Sequence, residues 1–158
     1  MSFVIGLSQG LQPIASFNFG AGKKKRVKEA YRKAITVGAV LAVFAFLMFQ
    51  IFPRQIISIF GDGSETYYQF AINYFHIFLF FTFVNFMQPI TSNFFTAIGK
   101  PKVGSFLALT RQILFLLPFI LIFPLFLGID GIMYAGPVAD CLAAGVCGVM
   151  VIRELRNF

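Results

Sequence analysis

Long apolar segments alternate along this chain with short charged ones. Uncharged or nearly uncharged runs occupy 3–19, 34–52, 67–98, 103–127 and 131–152. A bilayer core of about 30 Å takes about 20 helical residues to cross. The first run, with 17 residues, meets the lower limit of that range, and the third, with 32, must leave part of itself in the interface or protruding. The lengths predict an all-α, polytopic transmembrane helix bundle of about five spanning helices. Polar residues inside the runs are not scattered. Ser8, Gln9, Gln12 and Ser16 fall within an arc of about 100° on the first helix, and Thr82, Asn85, Gln88, Ser92, Asn93 and Thr96 within about 140° on the third, with Thr91 outside it. Each helix thus offers one polar stripe and one Phe/Leu/Ile face. Such stripes face a wet pathway or serve as interhelical hydrogen-bond glue, and the pattern alone allows both.

Composition removes the soluble alternatives. Of 158 residues 58% are hydrophobic and only 12% charged, with 23 Phe and no Trp, and mean hydropathy is +0.82. A soluble domain carries about 25% charged residues, so too little polar material is present to cover a globule in water. The net charge of +7 would suggest nucleic acid in a soluble chain, but its placement argues for topology. The connection 20–33 carries seven basic residues, 99–102 carries two and the tail two more, which is eleven of the 13. These alternate with the nearly neutral connections 53–66 and 128–130, and by the positive-inside rule they face the cytoplasm. The expectation is a multi-pass protein of the cell (inner) membrane with a cytoplasmic C-terminus. Met1 would then begin outside with no preceding helix to carry it there, which is expected if an N-terminal part of a larger protein precedes it.

Few residues offer chemistry. Gly20–Lys23 resembles a phosphate-binding loop, but Phe17 and Lys24 stand where that motif requires a Gly and a Ser or Thr. Cys141 and Cys147 lie about 120° apart on one helix and read as packing residues. His76 is the only histidine and shares its span with no carboxylate. With no nucleophile–base grouping, an enzyme is not expected. Asp140 lies about 13 Å past Gly131, near the midplane, and Arg111 about 12 Å past Val103. Asp140 must be protonated, paired or hydrated there, and Arg111 can reach it or snorkel back to the interface. A structural pair and an ion-coupling acid both remain open. Pro13, Pro89, Pro118, Pro124 and Pro137 each remove a helix hydrogen bond, so every span but the second is expected to bend.

The run from Gly6 to Gly22, GLSQGLQPIASFNFGAG, followed by Arg26-Val27, resembles an early helix and loop of the multidrug and toxic-compound extrusion (MATE) transporters. The later order is also similar: Phe94 to Pro101 (FFTAIGKP), Arg111-Gln112 with Pro118, then Gly131-Ile132 and Pro137 to Asp140. The resemblance implies a twelve-helix, two-lobe fold with the substrate cavity between lobes. Residues 1–158 would cover part of the C-terminal lobe, helices eight to twelve. The implied activity is export of amphipathic, often cationic drugs in exchange for sodium or protons, with no cofactor beyond that coupling ion. Gln9, Gln12, Asn85, Gln88 and Ser92 would line the cavity. Asn85 stands near the position where one branch of the family carries an acid, so coupling would rest on the missing lobe. Expected partners are membrane lipids, a small drug-like substrate, and the missing N-terminal lobe or a second chain, not nucleic acid. The alternatives are a truncated or accessory membrane protein that does not transport, and a lipid or polysaccharide-precursor flippase of similar fold. The flippase would call for more intramembrane Arg and Lys than Arg111.

Overall fold

The computed structural model describes residues 2–60, 65–78 and 83–158. All regular structure among them is helical: α1 (Ser2–Gly20), α2 (Lys24–Ile51), α3 (Pro53–Phe60), α4 (Glu65–Phe78), α5 (Met87–Ala97), α6 (Pro101–Leu109), a π-helical stretch (Thr110–Leu116), α7 (Leu117–Leu127) and α8 (Ile129–Arg156). Among the described residues, three continuous helical stretches are long and apolar enough to cross a membrane, Lys24–Ile51, Pro101–Leu127 and Asp130–Arg156. α1 adds a helix of 19 residues.

The two glycine-rich connections close in the same way. Gly22 (φ +70°) ends α1, with Lys23 N donating to Asn18 O at 2.9 Å and Gly22 N to Phe19 O at 3.0 Å. Gly99 (φ +79°) ends α5, with Lys100 N donating to Phe95 O at 2.9 Å and Gly99 N to Thr96 O at 3.2 Å. Both are Schellman turns, and their left-handed residue is favourable only for glycine. Pro101 then starts α6 at its first position, where no N–H is needed.

The third expected span does not form one described helix. α4 ends at Phe78, and 83–86 form turns before α5 begins at Met87. Pro89 explains the restart: a helix continuing through it would need an N–H for the Asn85 carbonyl, whereas at the third position of α5 that donor is not required. The connection read across 53–66 also contains a helix, α3, which Pro53 begins. Thr82 and residues 61–64 of that connection lie outside the described residues.

α5 is the hub. Ile90, Thr91 and Phe94 are fully buried, and they meet Leu11 and Ala15 of α1, Val27 and Tyr31 of α2, Leu107 of α6, and Cys147 and Val151 of α8 in one core. Glycines let the backbones approach. A Cβ on Gly104 of α6 would lie 2.6 Å from the Ser92 carbonyl oxygen, and one on Gly131 of α8 would lie 2.5 Å from the Phe123 carbonyl. Small residues at helix contacts are how membrane bundles pack without a hydrophobic drive between helices.

Candidate functional site

The polar residues of α5 mostly face other helices. Asn93 Nδ2 donates to Ser8 Oγ at 2.8 Å, and Ser8, itself buried, donates to Ile5 O at 2.8 Å. Ser92 Oγ donates to Gly104 O at 2.7 Å. Gln88 Nε2 donates to Leu107 O and Ala108 O at 3.0 and 2.6 Å. Thr91, off the stripe by its spacing, turns to α2 and meets the Tyr31 hydroxyl at 2.9 Å. Asn85 lies half-buried in the turn before α5.

On α1 the stripe divides. Its buried line is Val4, Ser8, Leu11 and Ala15. Gln12 is half-buried, and Gln9 and Ser16 are exposed, on one flank of that line. The other flank, with Leu7, Gly10, Ile14 and Asn18, faces α2 across a groove of about 550 Å³. A second, apolar groove of about 660 Å³ runs between Phe3, Met48, Phe49 and Ile56. Neither groove is lined by Gln9, Gln12, Asn85, Gln88 or Ser92.

Arg111 and Asp140 come together. Arg111 Nε donates to Asp140 Oδ1, with 21% of the Arg side chain and 6% of the Asp side chain exposed. The link crosses from the π-helical stretch to α8. Pro118 supplies the local cause of that stretch. It has no N–H, and its ring would press on the Leu114 carbonyl in an unbroken α-helix. Widening the preceding turn to i−5 bonding, as in Leu117 N to Gln112 O, relieves the conflict. The Gln88 amide sits on the carbonyls just before that turn, so α5 braces the segment from which Arg111 projects. Spacing did not reveal the π turn, although Pro118, seven residues after Arg111, was its signal.

At one end of the bundle the basic connections gather. Lys100 Nζ holds both Glu154 carboxylate oxygens at 2.7 Å. Lys28 Nζ donates to Leu155 O at 3.4 Å, and Lys24 lies 5.6 Å from the Phe158 ring centroid. Connections one and three and the tail therefore share one end. Arg54 meets Glu65 at 3.1 Å in the second connection. His76 is half-buried in α4; Cys141 is exposed and Cys147 buried, both free. Among the described residues no three His, Cys, Asp or Glu come together as metal ligands would.

Membrane-length helices, small-residue contacts and a buried ion pair define a multi-pass helical membrane protein. The chain belongs to the MatE family, whose profile matches residues 1–126. No curated protein matches it. Among solved structures, the MATE multidrug transporter DinF-BH, solved as a ligand complex, is similar with 30% identity and a TM-score of 0.89, covering 96% of this chain and 34% of that one. An outward-facing multidrug resistance MATE family transporter has 20% identity and a TM-score of 0.86, over 98% of this chain and 36% of that one. The MATE transporter VcmN of Vibrio cholerae has 19% identity and a TM-score of 0.85, over 98% and 35%. The chain has the fold of MATE multidrug transporters and spans about a third of the length of these neighbours.

Proposed function

We propose that this chain is the C-terminal-lobe part of a MATE-type exporter of the cell membrane. That exporter moves amphipathic, often cationic drugs outward in exchange for sodium or protons. The observation that carries the reading is the flank of α1 with Gln9 and Gln12. Gln9 is exposed there and Gln12 half-buried, and glutamines facing hydrocarbon would be costly, so the flank faces the cavity shared with the rest of the transporter. Asn85 joins them there, while Gln88 and Ser92 hold the wall by bonding α6. Rocking of one lobe against the other requires a lobe that keeps its shape. In support, the chain superposes equally on the outward-facing relative and on an inward-facing one, with TM-scores of 0.86 and 0.85. Basic connections at one end support a cytoplasmic C-terminus by the positive-inside rule. Sodium or proton is the coupling ion, and no other cofactor is needed.

The alternative reading is a short accessory membrane protein that does not transport. An immunoblot of native membranes with an antibody against 20–33 separates the two. The exporter reading expects a band near three times the 17.7 kDa of this chain. A band at 17.7 kDa itself overturns it in favour of the accessory reading.

A further inference from the structure

The groove between α1 and α2 has the shape and charge of a phospholipid site. Its floor is apolar, with Leu7, Gly10 and Ile14 on one side and Ala34 and Val37 on the other. Arg26, Glu29 and Lys33 line its α2 edge, Lys33 starting about 10 Å inward of Arg26 and reaching back toward the mouth to Glu29. From Arg26 to Val37 is eleven residues, about 16 Å of helix, and from Asn18 to Leu7 on α1 is the same. On α2 the outer part of that length, up to Lys33, belongs to the basic connection and the inner part, from Ala34, to the apolar run, so the groove crosses the membrane interface. Nothing lies within 4 Å of a Cβ built on Gly10, so the groove is open at its centre. At the mouth Glu29 holds Lys33 at 2.8 Å, and Arg26 leaves one positive charge in excess. A phosphodiester carries one negative charge. The head-to-tail order also fits, with cations at the basic end of the bundle and hydrocarbon walls inward of them.

We infer that this groove binds one anionic phospholipid of the leaflet at the basic end of the bundle, its phosphate at Arg26 and Lys33 and an acyl chain along Gly10. The inference is independent of transport activity. It differs from general attraction to the basic run because it requires both the groove and these two cations. Their positions on α2, seven residues apart, bring both side chains to the same edge of the groove.

The test is native mass spectrometry of the delipidated protein in mild detergent, titrated with phosphatidylglycerol or phosphatidylcholine. One phosphatidylglycerol is retained per chain, in preference to phosphatidylcholine. Arg26→Gln and Lys33→Gln each weaken its retention about fivefold, as loss of one interfacial cation should. A paired Lys25→Gln and Lys102→Gln variant removes twice as much charge outside the groove and leaves retention unchanged. Gly10→Phe fills the groove and abolishes it. The exposed Arg26 and Lys33 variants, with helicity checked by circular dichroism, carry the test if the Gly10 variant misfolds. Three results overturn the inference: equal loss in the control pair, equal retention of phosphatidylcholine, or a photo-crosslinker at position 10 that captures a protein segment instead of lipid.

Discussion

The α1–α5–α6 junction and α7 both carry large apolar side chains and bury them in opposite ways. In α5, Ile90 and Phe94 are 0% exposed, and side-chain hydrogen bonds tie that helix to α1 and α6. In α7, Leu117–Leu127, no residue is buried, and Leu125 and Phe126 are each 81% exposed. Hydrophobicity does not distinguish the two, since α7 is the more apolar. Small residues and paired polar groups do. Gly104 lets α6 reach the α5 backbone, and Ser8, Gln88, Ser92 and Asn93 are satisfied across helices. α7 has only large apolar side chains and two prolines, the surface of a helix that meets lipid. Where hydrocarbon surrounds the protein, apolar surface does not drive association, and close approach and hydrogen bonds decide which faces stay together.

Four substitutions sharpen that contrast, each read as the thermal unfolding midpoint in detergent with dye labelling of buried Cys147 as the reporter and Cys141 replaced. The largest effect falls at the π-helical stretch that lies between α6 and α7, where Arg111 pairs with Asp140 of α8. Asp140→Leu leaves Arg111 unpaired and destabilises by about 3–5 kcal/mol, whereas the double variant Asp140→Leu/Arg111→Leu recovers most of the loss. Equal loss in both would mean that the pair is already screened by water. Gly104→Leu pushes a side chain against the Ser92 carbonyl oxygen and costs about 1–3 kcal/mol through overpacking, while Gly145→Leu, in open space, changes little. Asn93→Leu breaks the bond to Ser8 for about 0.6 kcal/mol, and no more than about 1.7. Leu125→Ala on the lipid face stays within about 0.5 kcal/mol. A loss at Leu125 as large as that at Gly104 would erase the distinction between the regions.

Much of the fold was legible because membranes simplify the code. Run lengths and basic connections marked out the helices, whereas the turns that close two of them at Gly22 and Gly99 came from the structure. The depth arithmetic for Arg111 and Asp140 put them at matching levels, and the structure pairs them. The break between α4 and α5 was not read from sequence. Pro89 signalled it, but a proline inside a long apolar run fits a kink as well as a new start. The roles of the polar stripes divided for a similar reason. Periodicity puts Gln88 and Gln12 on stripes, yet it cannot say which neighbour each stripe meets. Gln88 finds carbonyls before a π turn, and Gln12 stays half-buried on the flank where Gln9 is exposed.

That flank carries the account's central claim, and drug movement tests it most directly. Membrane vesicles bearing the protein are loaded with a fluorescent lipophilic cation, and an opposing sodium or proton gradient is imposed. The account predicts gradient-dependent movement of the dye that falls severalfold in Gln9→Leu/Gln12→Leu and is unchanged in Leu125→Ala. Movement that ignores both gradients, or that survives loss of both glutamines at full rate, would contradict it.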